Sequence, residues 1–293
     1  MIKLLLFIGK IFLLFLITAI LLDGFYSFVY ENGRNRGKID FVYNSKPQNF
    51  DVVILGSSCA NNHFVAPLFE AKGLKTFNFG MSGSHLFEAS LLLKLMISNK
   101  FKIKNIIIET DLNLCSEEQA DGISSRFLPY IRSSEVVRKH FQGTQDFNYL
   151  YYIPFYRYLK FETKIGVREM FFSGINKKTN HLNNLGYSPL LGNQNGNMKS
   201  NLKALVPLPR NKYYLEIKRI CAKNNIRLIA VMTPMCENLV GIDYFEKVKK
   251  TYPEVYNYEN VVIENENFSS CGHLNDEGAK KFTKIILKDF FNK

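Results

Sequence analysis

Cysteine is scarce in this chain of 293 residues, and its five copies lack the spacing of a paired or metal-binding set. No C-x-x-C motif occurs, and the number of cysteines is odd. Such a dispersed set argues against a disulfide framework and against a zinc site. We therefore expect the cysteines to be small residues of the core or its edge. A bridge between Cys59 and Cys271 stays open, because these two residues flank the two motifs described below.

Charge and histidine patterns exclude two further classes of function. The formal net charge is +12, but the lysines are scattered and form only the pairs Lys177-Lys178, Lys249-Lys250 and Lys280-Lys281. A nucleic-acid partner is not expected, since neither a basic stripe nor a recognised binding motif is present. The excess is a compositional bias, or else it attracts anionic glycans or lipid head groups. The five histidines show no ligand spacing with carboxylates or cysteines, so neither a metal nor a cofactor is expected.

The amino end predicts a membrane anchor over residues 1–30. The run from Leu4 to Leu22 is apolar except for Lys10 and Thr18, which nearly matches the ~20 residues that span hydrocarbon. A cleaved signal peptide needs a small-x-small site after the apolar run, and Asp23-Gly-Phe-Tyr-Ser supplies no good one. A buried soluble helix is the other alternative. Basic residues lie on both sides of the run, so charge alone does not orient it.

After a polar, turn-rich stalk at residues 31–50, strands and helices alternate. Apolar, β-branched runs predict strands at Val52–Leu55, Thr76–Phe79, Asn105–Glu109, Arg227–Thr233 and Val261–Ile263. Helical patterns are found at Pro67–Lys72, Ser84–Ser98, Lys212–Asn225, Tyr244–Thr251 and Asp276–Phe291. Strands separated by helices predict an α/β domain over residues 51–293, with a central parallel sheet and right-handed crossovers.

The pattern breaks between about residues 115 and 209. This stretch contains an aromatic cluster at Phe147–Tyr158, and residues 176–200 are rich in Asn and Gly. We expect an insertion that lies over the carboxyl edge of the sheet. Its aromatic side chains suit stacking on sugar rings, or else the packing of a helical cap on the main domain.

Two short motifs near the ends of this domain carry the candidate chemistry. Asp51-Val-Val-Ile-Leu-Gly-Ser-Ser58 is a strand that runs into a tight turn, which presents a serine at the carboxyl edge of the sheet. Phe268-Ser-Ser-Cys-Gly-His273 places an imidazole just ahead of the last helix. A nucleophile first and a base last is one chain order for a serine hydrolase, because only geometry matters.

These motifs, with Asn78-Phe-Gly-Met-Ser-Gly83 and His273-Leu-Asn-x-x-Gly-Ala279, resemble the SGNH/GDSL hydrolase superfamily. Within it, the chain resembles the membrane-anchored branch associated with cell-envelope polysaccharide O-acylation. The resemblance covers roughly residues 50–113 and 226–291. It implies a flavodoxin-like three-layer sandwich, held by a single-pass anchor in the cytoplasmic membrane with the globular domain outside.

The resemblance implies Ser58 as the nucleophile and His273 as the general base. Serines at strand-to-helix turns are also commonly helix N-caps, which is the competing role for Ser58. The family has an aspartate three residues before the histidine, and here that position is Ser270. A serine accepts a hydrogen bond from the imidazole but brings no charge. By analogy with neutralised triads, that loss costs up to ~10⁴ in rate.

The resemblance also implies an oxyanion hole, which needs donors aimed where negative charge develops. The matching donors are the backbone groups of Ser58 and Gly83, with Gly80 as the alternative. The family's asparagine after the third strand has no clean counterpart, and Asn113 is the nearest candidate.

Three other residues are candidates for the pocket. Asp111 follows the third strand and is a carboxylate that could orient a group there. His63 and His85 each follow a candidate loop closely, so they could line the pocket or lie in the shell around it.

The leading hypothesis is a membrane-anchored esterase or O-acyltransferase that acts on acyl esters of a cell-surface carbohydrate, with a membrane-bound acyl donor as a further partner. The alternative is a catalytically inactive SGNH scaffold that binds glycan or organises an envelope biosynthesis complex, and Ser270 favours it. A flavodoxin-like ligand-binding domain shares the strand pattern but would need a phosphate-cradling Gly-rich loop, which the sequence lacks.

Overall fold

The computed structural model describes residues 1–33, 36–192, 200–237, 239–241 and 243–292. The chain divides into two compact units. The anchor unit comprises Met1–Asn44 and Asp121–Thr179, and the sheet unit comprises Ser45–Ala120 and Asn180–Lys293.

The sheet unit is an α/β domain built on a central five-stranded sheet. Its strands are β1 (Asn49–Leu55), β2 (Thr76–Asn78), β3 (Lys102–Glu109), β4 (Ser200–Asn201), β5 (Arg227–Met232), β6 (Leu239–Val240), β7 (Tyr256–Asn257), β8 (Phe268–Ser270) and β9 (His273–Leu274). The central sheet has the order β2-β1-β3-β5-β7, and all of its pairs are parallel. β4 and β6 form a small parallel pair, and β8 and β9 form an antiparallel hairpin.

Helices connect the strands and build the anchor unit. The anchor unit contains α1 (Ile2–Asn32), α2 (Lys38–Asn44), α6 (Asp121–Ser124), α7 (Glu135–Phe141), α8 (Phe147–Tyr152), α9 (Tyr156–Lys160), α10 (Glu162–Ile165) and α11 (Val167–Gly174). The sheet unit contains α3 (Ser58–His63), α4 (Ala66–Glu70), α5 (Leu86–Ser98), α12 (Lys212–Lys223), α13 (Asp243–Thr251) and α14 (Asp276–Phe291). Short 3₁₀ helices lie at Asp111–Cys115, Ser125–Tyr130, Asn183–Gly186 and Asn265–Asn267.

Both faces of the central sheet are buried, which explains the continuous apolar runs of β1 and β3. Ile54 of β1 lies beside Ile107 of β3, which in turn lies beside Ile229 of β5. These three side chains belong to one cluster with residues of α3, α4 and α14. The residues that alternate with them in β1 and β3 are also fully buried. Each such side chain contributes about 1.5–3 kcal/mol by leaving water, so burial on two sides holds the sheet.

The predicted α/β domain with a central parallel sheet is confirmed, and α14 has the predicted bounds. The prediction of a strand at Val261–Ile263 is wrong. The fifth strand is β7, whose Tyr256 pairs with Val231 of β5. Val261 and Ile263 are exposed, so this apolar run is not the buried strand that its composition suggested.

The observed units differ from the predicted division into anchor, stalk and one domain. Residues 31–50, expected to be a polar stalk, contain α2 and the start of β1. The expected insertion at about residues 115–209 is divided, because residues 121–179 belong to the anchor unit and residues 180–209 to the sheet unit. Contacts between distant segments decide this division, and local composition carries no sign of them.

Helix α1 is a continuous helix of 31 residues with two different environments. Its apolar part is exposed, and with a mean hydropathy of 2.8 it is long and apolar enough to cross a membrane. From Asp23 onward the same helix packs into the anchor unit. Tyr26 and Tyr30 are buried there, and the ring centroids of Tyr26 and Tyr158 are 5.0 Å apart. Helix packing therefore accounts for part of the aromatic cluster at Phe147–Tyr158.

A buried ion pair holds α1 against α9. Asp23 and Arg157 are 1% and 0% exposed, and their charged atoms are 2.5 Å apart. Arg132 Nη1 lies 2.9 Å from Asp23 Oδ2, and the Phe155 N–H donates to the same oxygen at 3.1 Å. Arg157 also donates to Ser27 Oγ at 2.8 Å. Charges buried in this way are tolerated only while their partners are present.

Replacing Asp23 by alanine should destabilise the anchor unit strongly, because it leaves the Arg157 charge buried without a counter-ion. We expect a loss of about 3–5 kcal/mol in the free energy of unfolding, measured by denaturant titration of the full-length chain in detergent. Glu135→Ala is the control, since it removes an exposed ion pair to Lys139 one helical turn away and should have little effect. Equal unfolding midpoints for the two variants would contradict the role assigned to Asp23.

Candidate active site

Ser58 lies at the turn where β1 ends and α3 begins. Gly56 has a φ of +138°, and a Cβ there would lie 2.7 Å from Glu109 Oε2, so glycine is required at this turn. Ser57 is the N-cap of α3, and its Oγ accepts a hydrogen bond from the Cys59 N–H at 3.3 Å. The capping role that competes for Ser58 therefore belongs to Ser57. The Ser58 hydroxyl is left for another partner.

That partner is His273. Ser58 Oγ and His273 Nε2 are 2.8 Å apart, and Ser270 Oγ lies 3.2 Å from His273 Nδ1. Ser270 and His273 face each other across the β8–β9 hairpin. The fold thus brings together the three residues that the two sequence motifs select as nucleophile, base and substitute for the acid.

The hydrogen bonds of His273 permit two positions for its proton. With the proton on Nδ1, the imidazole donates to Ser270 Oγ and accepts from the Ser58 hydroxyl at Nε2, as a general base must. With the proton on Nε2, the imidazole donates to Ser58 Oγ and accepts from the Ser270 hydroxyl at Nδ1. Both arrangements are possible because a serine hydroxyl donates as well as accepts. An ionised aspartate only accepts, so it would allow the first arrangement alone. Ser270 therefore places the imidazole but does not select its tautomer.

Two buried carboxyl groups stand behind the serine turn, at the end of β3. Glu109 Oε2 accepts from the Ser57 N–H at 2.7 Å and from the Ser57 hydroxyl at 2.6 Å. Asp111 accepts from the N–H and the hydroxyl of Thr233, each at 2.6 Å. Since Ser57 follows β1 and Thr233 follows β5, these bonds tie the ends of both neighbouring strands to β3.

The pKa values of the two carboxyl groups are shifted by different balances of burial and hydrogen bonding. Burial, together with the charge of Asp111, raises the pKa of Glu109 to about 8. Burial raises the pKa of Asp111 as well, but the two bonds from Thr233 act against it. Two carboxyl groups buried near each other do not both ionise readily. The bonds from Thr233 therefore favour the negative charge on Asp111 over a charge on Glu109.

His63 connects Asp111 to the hairpin that bears His273. The Leu274 N–H donates to His63 Nε2 at 3.0 Å, so Nδ1 carries the ring proton and donates to Thr233 Oγ1 at 2.9 Å. Thr233 then donates its own proton to Asp111. Burial, with a smaller effect of His273, lowers the pKa of His63 well below 6.5 and keeps the ring neutral. This chain of bonds fixes the backbone beside His273.

Burial also lowers the pKa of His273 from 6.5, while the charge of Asp111 acts in the opposite direction. The neutral imidazole is then the main form at neutral pH, which is the form that accepts a proton. Asp111 makes no hydrogen bond to His273 among the contacts described. It acts through space, and it supplies part of the negative charge that Ser270 does not.

A cavity of about 230 Å³ opens at Ser58 and His273. Among the described residues, its lining includes polar residues (Ser57, Ser58, Ser84, His85, Asp111, Asn113, His273). It also includes apolar residues (Leu112, Leu202, Met235, Leu239). Leu202 belongs to the stretch that was expected to be an insertion, so this stretch contributes to the site.

The predicted oxyanion donors lie at this cavity. Ser58 opens α3, where backbone N–H groups have no partner within the helix. Gly83 lines the cavity with a φ of +81° and open space on its side-chain position. Asn113 lines it too, but its Nδ2 donates to Glu109 Oε1 at 3.2 Å, so one of its amide protons is already used.

The remaining predicted pocket residues divide into two groups. Asp111 and His85 line the cavity, and His85 Nδ1 lies 3.1 Å from the Glu118 carbonyl oxygen. Gly80 and His63 are not among the lining residues. A Cβ at Gly80 would lie 2.5 Å from the Asn61 nitrogen, so this glycine serves close packing against α3. His63 is fully buried in the network described above.

The sequence argued against a disulfide framework and left only a Cys59–Cys271 bridge open, but Cys236 and Cys271 form a disulfide. Cys59, the partner considered for Cys271, is a free buried thiol that donates to the Gly272 carbonyl at 3.3 Å. The disulfide joins the loop after β5 to the turn of the β8–β9 hairpin. Spacing could not reveal this pair, since 35 residues separate the two cysteines and the fold alone brings them together.

Glu109 and Thr233 were missed as site residues by the sequence reasoning. The signal was present, since each directly ends or follows a buried parallel strand. The carboxyl ends of neighbouring parallel strands meet at one edge, so polar residues at these positions converge. Among the described residues, no group of three His, Cys, Asp or Glu side chains is placed to hold a metal ion.

Neither protein-family models nor curated proteins give a match to this chain. The geometry of Ser58, His273 and the cavity therefore carries the functional conclusion.

Removing the disulfide should loosen the hairpin that carries His273. For a closed loop of 35 residues, the chain-entropy estimate for Cys271→Ser is a loss of about 4 kcal/mol in the free energy of unfolding. Denaturant unfolding of the full-length chain with and without reductant measures it. The parent should lose stability on reduction, and Cys271→Ser should lose nothing further. Cys115→Ser, which changes a free cysteine, is the control. A parent insensitive to reductant would refute the assigned pair.

Proposed function

We propose that this chain is a membrane-anchored SGNH-type serine esterase or O-acyltransferase that acts on acyl esters of a cell-surface carbohydrate. The observation that carries the proposal is the 2.8 Å contact of Ser58 Oγ with His273 Nε2 at an open cavity. A serine needs such a base within hydrogen-bond reach to attack a carbonyl at neutral pH.

The architecture of the sheet unit supports the same proposal. The strand order β2-β1-β3-β5-β7, with both faces buried, fits the flavodoxin-like three-layer sandwich of the SGNH superfamily. In such open parallel sheets, the site lies at the carboxyl ends of the strands. Ser58 follows β1 at that edge, beside the central strand β3.

In the first half of the reaction, Ser58 Oγ bonds to the acyl carbon while His273 Nε2 takes the hydroxyl proton. The carbonyl electrons move to the oxygen, and the backbone N–H groups of Ser58 and Gly83 stabilise the resulting oxyanion. The bond to the leaving alcohol then breaks, and His273 returns the proton to that alcohol. The product is an acyl ester on Ser58.

In the second half, water or a sugar hydroxyl attacks this ester, and His273 again takes the proton from the nucleophile. The bond to Ser58 Oγ breaks, and the serine regains its proton from His273. Attack by water completes an esterase cycle, and attack by a sugar completes an acyl transfer. The cavity of about 230 Å³ is below the ~300–1,000 Å³ of sites that enclose a whole drug-sized ligand. A short acyl group fits it, with the glycan remaining outside.

Two features support a location at the cytoplasmic membrane with the globular part outside. Helix α1 is long and apolar enough to serve as a single-pass anchor. The Cys236–Cys271 disulfide requires an oxidising compartment to form and persist. A membrane-bound partner that presents the acyl group would suit the transferase form of the reaction.

A catalytically inactive SGNH scaffold that binds glycan or organises an envelope complex is the second candidate. Ser270 favours it, because a serine neither fixes the tautomer of His273 nor stabilises its charged form. The same residue that weakens catalysis would be harmless in a protein that only binds.

Labelling with a fluorophosphonate separates the two candidates. An activated serine displaces fluoride from phosphorus and keeps the phosphonyl group, so the full-length chain in detergent should label. Ser58→Ala and His273→Ala should abolish labelling, whereas Ser57→Ala should slow it without abolishing it, because the Ser57 hydroxyl is bonded to Glu109 and only positions the turn. The full chain is needed, since residues 23–30 are part of the anchor unit. A folded parent that does not label would favour the inactive scaffold.

Restoring the acid at position 270 should accelerate labelling. Ser270→Asp would fix the proton of His273 on Nδ1 and stabilise the imidazolium, for a gain of up to about 10⁴ in rate. Labelling by the parent should be full at neutral pH and fall in acid through a pKa below 6.5, because burial lowers the pKa of His273. The aspartate should move this fall in labelling to higher pH. Ser270→Asn, whose side chain has the shape of aspartate without its charge, should not. Identical profiles for the two variants would count against His273 as the base.

A further inference from the structure

The anchor unit exposes several large apolar side chains close to one another in sequence. Tyr149 and Tyr152 of α8 are 54% and 67% exposed, and Ile153 after it is 44% exposed. Leu159 of α9 is 66% exposed. Neighbouring residues of the same helices, such as Leu150 and Tyr158, are buried, so the segment is folded and still leaves an apolar surface uncovered. We call Tyr149, Tyr152, Ile153 and Leu159 the aromatic patch.

The level of this patch along α1 is set by Asp23. The Phe155 N–H donates to Asp23 Oδ2 at 3.1 Å, and the Tyr26 and Phe155 ring centroids are 5.0 Å apart. Asp23 is the first residue after the exposed apolar part of α1. Phe155 therefore lies beside Asp23 at that boundary. Because a chain covers at most about 3.3–3.6 Å per residue, Ile153 and Tyr152 lie within about 7 and 11 Å of Phe155.

Such a distance corresponds to the interfacial layer of a bilayer. A hydrocarbon core of ~30 Å within a total of ~40–45 Å leaves about 5–8 Å of head-group region on each side. Tyrosine is enriched at this depth, because its ring is apolar and its hydroxyl is polar. Phe25 and Phe28, also exposed, lie on α1 within two turns of Asp23. Exposed apolar side chains of α1 and of the α8–α9 segment thus flank the same contact, that of Asp23 with Phe155.

A positive charge beside this segment, on Arg132, suits lipid phosphates. Arg132 is held by Asp23 at 2.9 Å and donates to the Tyr151 carbonyl at 3.0 Å, yet its side chain is 39% exposed. Asp23 faces two arginines, Arg132 and Arg157, so this cluster has one positive charge in excess. An exposed guanidinium beside a tyrosine-rich surface is a combination that binds the head-group layer.

We propose that the aromatic patch lies in the head-group layer of the bilayer that α1 crosses, so that the anchor unit rests on the membrane surface. The proposal rests on the anchor role given to α1 in the proposed function, and not on the chemistry of Ser58. Its occupant is a lipid surface, because Phe155, between α8 and α9, bonds to Asp23 at the end of the apolar part of α1.

The absence of tryptophan from the chain makes a direct test available. Tyr152→Trp introduces one fluorophore into the full-length protein, reconstituted in phosphatidylcholine vesicles whose acyl chains are brominated near the head group. We expect blue-shifted emission that the bromolipid quenches several-fold more than in Phe171→Trp. Phe171 is exposed on α11, whose Ser173 lies beside Gly33. That position is about 15 Å beyond Asp23 along α1 at 1.5 Å per residue.

Phe15→Trp, within the exposed apolar part of α1, separates failure of the patch from failure of the anchor. Quenching of Phe15→Trp and Tyr152→Trp without Phe171→Trp supports the proposal. Quenching of Phe15→Trp alone overturns the proposed location of the aromatic patch but supports α1 as the membrane anchor. This result is expected if a partner protein covers the patch. Equal quenching of all three, or of none, overturns it as well. Ile153→Trp replaces Tyr152→Trp if that variant does not fold.

Discussion

The carboxyl end of β3 is held by two buried acidic side chains, and the candidate site is built outward from them. Glu109 bonds to Ser57 after β1, and Asp111 bonds to Thr233 after β5. A buried donor that loses its acceptor costs about 1–3 kcal/mol, so these bonds stabilise the sheet as well as shape its edge. The same contacts therefore serve the stability of the fold and the position of Ser58. A substitution of Glu109 or Asp111 would therefore change both the stability of the fold and the position of Ser58.

Part of the charge that an aspartate at position 270 would bring to His273 is supplied by this arrangement. Thr233 donates to both oxygens of Asp111, which favours its charged form, and that charge opposes the effect of burial on the pKa of His273. Through Thr233 and His63, the same residue also fixes the backbone next to His273. What Asp111 cannot do is select the tautomer of His273, since that requires a direct bond to Nδ1. Orientation and charge, which one aspartate usually provides together, are divided here between Ser270 and Asp111.

Local patterns were sufficient for the features that one segment determines by itself. The isoleucine run of β3, the turn that ends in Ser58 and the bounds of α14 all follow from short stretches of sequence. Features that join distant segments were not predictable in this way. The Cys236–Cys271 pair, the contact of His63 with Leu274 and the association of residues 121–179 with α1 depend on packing. His63 is an example, because the sequence is the same for a histidine that lines the cavity and for one that is buried behind it.

Asp23, which is bonded to Arg157 and Phe155, lies in a helix that continues unbroken to Asn32. A flexible linker would let the folded part of the anchor unit change its orientation independently of the apolar part of α1. A continuous helix instead makes the two parts tilt together. Where α1 crosses a bilayer, a thinner membrane would tilt it to bury its apolar length. The anchor unit would then tilt by the same angle, and the contact of its aromatic patch with lipid would change with membrane thickness.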